Sequence, residues 1–371
     1  MKKILVLLLL LSCGLVYAQN AADKYESFKE NLKENTGFSY ELNISVTAQR
    51  LHSKSDKTAV RHFYNPQISY TPFENTKWGS GSFDYESEHS RYFGAQAIAL
   101  NESAGFISSI NDTPEKEDYF LILTYTHALP DKMSWLSLTA GQIALCTIDG
   151  TTYTSDPHGM LINESFSASA SAAYPNAGFG GYIKAETGAL AIRAGIQSTA
   201  NTEGTRIEIG KAFEGYYNSF LFSEYTPEIK KLGGGVYSFL LYYHNNGEGI
   251  DDIFGWSFNI EQNIGTFAIF GKANGVKNTV SENGIKQSYV AGVAYKDPFE
   301  RNERDVILLS AGYNELDEEE LGFSSEKVFE FQWVFAITSL MTITPNVLVY
   351  DSAFDGGTIN AAYGLRAAFH F

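Results

Sequence analysis

Polar side chains recur at every second position along several segments, and these are the residues whose types could do chemistry. Arg193 and Gln197, Asn259 and Glu261, Lys272 and Asn274, Glu330 and Gln332, Thr344 and Asn346, and Arg366 lie on the polar parity of extended segments. Guanidinium, ammonium, carboxylate and amide groups along one wall can exchange weak hydrogen bonds with hydroxyl-rich solutes. Arg193, Lys272 and Arg366 set against Glu261 and Glu330 would place a transverse field across a narrow passage and favour polar neutral solutes. Other chemistries have little to stand on. The seven His are scattered and no HExxH occurs, so neither a catalytic metal nor any other cofactor is expected. His89-Ser90 and His52-Ser53 have no evident third member for a nucleophilic triad. Asn245 to Asp252, with Glu248, Asp251 and Asp252, lacks the spacing of a calcium loop. The run Asp317 to Glu320 reads as an exposed acidic loop, with cation or lipopolysaccharide bridging as its alternative.

The elements that carry these residues show strict period-two alternation. Reading back from the C-terminus, Phe371, Phe369, Ala367, Leu365, Tyr363, Ala361 and Ile359 share one face, opposite His370, Arg366 and Asn360. Phe329, Phe331, Trp333, Phe335 and Ile337 oppose Glu330 and Gln332, and Phe254, Trp256, Phe258 and Ile260 oppose Asn259 and Glu261. Tyr237 to Tyr243, Ile307 to Tyr313 and Leu190 to Ile196 repeat the pattern. Such runs exceed the ~5–6 residues of an ordinary soluble strand and match a membrane-spanning strand with one face in lipid. Asn245-Asn246-Gly247, Ser281 to Gly284, Asp355-Gly356-Gly357 and Gly233-Gly234-Gly235 supply reversals between strands. Aromatics near strand ends, Tyr237, Tyr243, Phe254 and Tyr313, suit interfacial girdles.

The N-terminus sets the compartment. Lys2 and Lys3, an apolar run from Ile4 to Leu11 and Val16-Tyr17-Ala18 form a secretory leader cleaved after Ala18. Leu10-Leu11-Ser12-Cys13 offers lipidation of Cys13 as the alternative. Cys146 is then the single remaining cysteine, so no internal disulfide or cysteine zinc cage can form. Of 371 residues, 43 are acidic and 27 basic, a net charge of −16 that repels nucleic acid. Aromatics at 14% and charged residues at 19% exclude a disordered chain. No later stretch is apolar for the about 20 residues a spanning helix needs, so an exported, alternating chain is a closed barrel. The expectation is an all-β, transmembrane antiparallel β-barrel of about sixteen strands, at roughly 22 residues per strand and connection. Residues 1–18 form the leader, 19–36 a short helical segment with Tyr25, Phe28 and Leu32 on one face, and 37–371 the barrel. The helix is expected in the periplasm or as a plug, and a longer loop, Asp112 to Asp118 or Ala144 to Gly159, is expected to fold into a polar bore.

The C-terminal two thirds resembles the carbohydrate-selective outer-membrane porins of OprB type. Tyr289 to Tyr295 followed by Lys296-Asp297-Pro298-Phe299-Glu300-Arg301 and Asp305, opening the strand Val306 to Tyr313, is the clearest stretch. Asp297 stands where that family tends to have a turn glycine. Tyr174 to Gly178, Ala194 to Gln197, Phe258 to Gln262, Ile269 to Asn274, Leu138 to Gln142 with Asn163 to Phe166, and Leu340 to Asn346 follow in family order. The resemblance implies a sixteen-stranded porin in the bacterial cell outer membrane that passes sugars by diffusion. Its partners would be small solutes, outer-membrane lipid and the barrel-assembly machinery, as a monomer or homotrimer. A plugged structural or adhesive barrel and a barrel-type hydrolase are the alternatives.

Overall fold

The computed structural model describes residues 20–52, 56–155, 159–199, 204–207, 209–211, 216–245, 252–278, 284–352 and 358–371. The leader with Ala18 and Cys13 lies outside the described residues, as do Ser53, Asn246 to Asp251, Ser281 to Asn283 and Asp355 to Gly357.

Helix α1, residues 20–36, precedes the barrel and stops at Gly37, whose φ of +69° lets its N–H reach back to the Lys33 carbonyl. The first four spanning strands are β1 (Phe38–Leu51), β2 (Thr58–Asn75), β3 (Gly79–Gly94) and β4 (Asp118–Ala128). Shorter strands follow: β5 (Leu136–Ile143), β6 (Gly178–Thr187), β7 (Leu190–Ser198) and β8 (Tyr217–Tyr225). The wall continues through β9 (Gly233–His244), β10 (Ile253–Ile264), β11 (Phe267–Lys277) and β12 (Ile285–Lys296). It ends with β13 (Val306–Leu316), β14 (Ser325–Thr338), β15 (Met341–Ser352) and β16 (Thr358–His370). The pair Glu228–Ile229 is a two-residue ribbon inside the β8–β9 turn.

Every strand is antiparallel to its neighbours, and β1 closes on β16 from Asn43 opposite His370 to Leu51 opposite Ala362. Closure gives each strand two partners, so no unpaired row of amides need face hydrocarbon. No helix among the described residues is long and apolar enough to cross a membrane. Tight reversals cluster at one end, as at Gly188 and Gly265, both with positive φ, and that end also holds Phe38 and Phe371. The connection 95–117 and the described residues 144–155 and 159–177 lie at the other end. Short turns mark the periplasmic side and long loops the outside.

The faces follow the alternation. Phe329, Phe331, Phe254, Phe258, Tyr363 and Leu365 are exposed, and Leu309 keeps 59% of its surface, whereas Glu330, Gln332, Asn259 and Arg366 are buried inward. A protein in water would invert this arrangement. Outward aromatics gather in two rings: Phe267 stacked on Tyr295, Tyr225 beside Tyr237, and Phe299 against Trp333 near the short-turn end; Tyr289 beside Tyr313 toward the loops. These are the interfacial girdles.

The Asp297 turn shows why an aspartate can replace glycine. Asp297 adopts a φ of +45°, a region open to Asp at modest cost, and its carboxylate accepts the Asn302 N–H at 3.1 Å. Arg301 then binds the buried Asp305 carboxylate while its guanidinium lies 3.7 Å over the Phe335 ring. Asp305 also accepts the Ala336 N–H at 2.8 Å, which ties this turn to β14.

Candidate permeation pathway

Two loops enter the barrel from the long-loop end. Residues 95–117 carry α2 (Ala97–Ala104), and residues 144–177 carry α3 (Glu164–Ser167). Both bring aliphatic and aromatic side chains that find an apolar inner wall on β11 to β16. Leu100, Phe106, Ile110, Leu161 and Phe166 pack with Phe270, Val290, Leu308, Val328, Leu348 and Tyr350. Phe106 stacks on Tyr350 at 3.6 Å, and Tyr153 on Phe270 at 5.2 Å. Gly312 leaves room for the Phe166 ring, since a Cβ there would stand 3.2 Å from it. The inner face is therefore not polar throughout, as the alternation alone suggested. On β11 to β16 much of it is an enclosed core shared with the loops.

Polar wall residues fasten the loop backbones. Glu326 accepts the N–H groups of Ile107 and Ser108 at 2.7 and 2.9 Å, and Glu330 accepts those of Ile162 and Asn163, both at 3.1 Å. Loop amides buried away from water need such acceptors, and a carboxylate can serve two at once. Asn163 caps α3 by accepting the Ser165 N–H, and donates to Tyr350 Oη at 2.6 Å. Gln49 donates to the Ile110 carbonyl at 2.7 Å, and Arg61 meets Asp112 at 2.6 Å.

The residues expected to line a bore all face inward, but all except Arg193 are buried, several of them bonded to the loops and others to one another on the wall. Lys272 donates to the Thr154 carbonyl at 2.7 Å, Asn274 accepts the Ser171 N–H at 3.0 Å, and Asn259 donates to Asp149 at 3.0 Å. Gln197 reaches the Ile143 carbonyl at 2.9 Å, and Glu261 meets Thr151 and Thr152. Glu330, Gln332, Thr344, Asn346 and Arg366 form one patch on β14 to β16, with Gln332 donating to Glu330 and Arg366 to Gln332. Thr344 is fully buried, and the Asn346 amide lies over Gly364. Arg193 alone of the set is half-exposed, its guanidinium 5.2 Å from the Phe222 ring.

The loops leave a different wall wet. On the inward parity of β1 to β4 and β6 to β8, Glu41 and Glu186 are exposed, and Gln67, Asp84, Glu86, Glu88, Lys184 and Glu224 are half-exposed. Asn65 and Gln67 donate to Glu86 at 3.0 and 3.2 Å, and Ser69 to Asp84 at 2.7 Å. The carboxylates outnumber Lys184 and Arg193, so this strip is acidic. Asp84-x-Glu86-x-Glu88 carried that signal in the sequence as acids at alternate positions, and the expectation passed over it. Cys146, on the 144–177 loop, is exposed toward the same water, within electrostatic reach of Glu88, Glu86 and Asp149. Desolvation and those acids raise its thiol pKa.

No family model matches the chain. A protein named Porin AaxA from Chlamydia pneumoniae is 27% identical over 315 residues, covering 82% of this chain and 71% of the relative. The Chlamydia abortus protein of that name is 28% identical over 331 residues, covering 86% and 72%. Among solved structures, Pseudomonas putida OprB superposes with a TM-score of 0.73 at 13% identity, covering 94% of this chain and 97% of that one. The anion-selective porin from Comamonas acidovorans gives a TM-score of 0.55 at 11% identity, covering 90% and 99%.

Proposed function

We propose that the chain is an outer-membrane porin, a reading supported by its likeness to the Porin AaxA relatives and by the fold it shares with OprB. On this reading it passes small polar solutes, sugars among them, by diffusion along the acidic strip beside the inward loops. The observation that carries this reading is the asymmetry of the interior. β11 to β16 are sealed by apolar loop contacts, while Glu41, Asp84, Glu86, Glu88, Glu186 and Glu224 keep contact with water. Diffusion needs repeated weak contacts and no catalytic group. Carboxylates and amides accept and donate to hydroxyls, and the resemblance to carbohydrate-selective porins supports sugars as part of the traffic. The surplus of carboxylates attracts cations and disfavours anions. Arg193, half-exposed over Phe222, is the expected lining residue placed to touch a solute, offering a donor fork beside an aromatic face. Gln197, Asn259, Glu261, Lys272, Asn274, Glu330, Gln332, Asn346 and Arg366 shape the passage by holding the loops and wall that border it.

Planar-bilayer recording with sugar titration tests the reading. A conducting pore whose current falls as sugar is added supports it. A barrel without conductance favours a plugged structural or adhesive role, and digestion of the lipid favours a hydrolase. Arg193→Ala should change sugar flux relative to ion conductance; equal scaling of both would remove Arg193 from the solute path.

A further inference from the structure

α1 packs on the outside of the barrel, against side chains of the lipid-facing parity. Tyr25 donates to Tyr40 Oη at 3.0 Å and meets the Phe371 ring edge-on at 6.2 Å, and Phe371 is parallel to Phe369. Lys29 lies over both the Tyr25 and Tyr40 rings. Tyr40, Phe369 and Phe371 stand outward at the short-turn end, so Tyr25 extends the aromatic girdle of that interface. Residues 25, 28 and 32 share a helical face. Phe28 nonetheless keeps 55% of its surface uncovered. The described part of the helix carries Lys24, Lys29 and Lys33 against Asp23, Glu26, Glu30 and Glu34, so it has no cationic surplus with which to seek anionic headgroups.

We propose that α1 is an interfacial helix that lies along the periplasmic leaflet and inserts Phe28 among the upper acyl segments. The occupant of its uncovered edge is phospholipid, because that edge is continuous with a lipid-facing band already in place. An amphipathic helix in the interface plane is held by buried apolar area. Here the barrel supplies the orientation that a free peptide would lack.

The test uses the full protein, in a Cys146→Ala background, reconstituted in phosphatidylethanolamine–phosphatidylglycerol vesicles. Spin labels are placed by Phe28→Cys or, on the opposite face, Glu30→Cys. The label at 28 should be relaxed more by oxygen than by a water-soluble nickel chelate, with the reverse at 30 and with neither changed by salt. Equal access of the nickel chelate to both positions would overturn the proposal. So would a freely tumbling spectrum at 28, which would show the helix detached. Heat-modifiable mobility on gels verifies that each labelled barrel is folded.

Discussion

At the level of single residues, Glu326 and Cys146 make the sharpest demands. Glu326 is buried and receives two loop amides and the Ser108 hydroxyl. Glu326→Ala leaves those donors without an acceptor, at a cost of about 1–3 kcal/mol each. The 95–117 loop should loosen, and single-channel recording should show larger, noisier conductance; Glu326→Gln, which keeps one acceptor oxygen, should show a smaller change. Cys146 gives a pH dependence. Its thiol pKa is raised by desolvation and by Glu88, Glu86 and Asp149, so little thiolate is present at neutral pH. The thiolate attacks the sulfur of a thiosulfonate reagent and displaces sulfinate. Block of the current should accelerate as pH rises, and a cationic reagent should outpace an anionic one of equal size. Equal rates for the cationic and the anionic reagent would place the thiol outside the acidic passage.

Strands were legible in the sequence, whereas loops were not. Alternation on β7, β9, β10, β13, β14 and β16 has one cause, since every second side chain meets hydrocarbon. That cause acts on each strand separately, so parity can be read locally. Phe331→Arg, on the outward face of β14, should destabilise the folded barrel by about 2–4 kcal/mol if it lies near mid-membrane. Urea titration of the heat-modifiable form would measure this, and an unchanged midpoint would reverse the facing of β14. The apolar loop core depends on pairings far apart in sequence, such as Phe106 with Tyr350, and has no local period. Its trace was nonetheless present: Leu308, Val328, Val334 and Leu348 are apolar on the face that should have been polar. An inner face that loses its polarity marks the wall a loop will cover. The candidate lining residues were thus placed on the right face, but the loops hide most of them from solute.

For the whole molecule, net charge and local charge point the same way. The chain carries −16 overall, and the uncovered inner strip is itself acidic. In a potassium chloride gradient across a bilayer, the reversal potential should take the sign of cation preference. Replacing Asp84 by Asn and Glu224 by Gln together should move it toward zero with little change in conductance at high salt, where charges are screened. An anion-preferring wild type would mean that Lys184 and Arg193 dominate the path.

The apolar seal of the loops lies mainly on β11 to β16, with further ties to β1, β2 and β8 to β10. Most of the wet acids stand on β3 and on β6 to β8. Width and sign are consequently written in separate stretches of the polypeptide. Trimming residues 95–117 can retune which sizes are sieved with little effect on the acids of β6 to β8, and recolouring β3 can shift the electrostatic preference without removing either loop. Two selections can act on such a conduit with little interference.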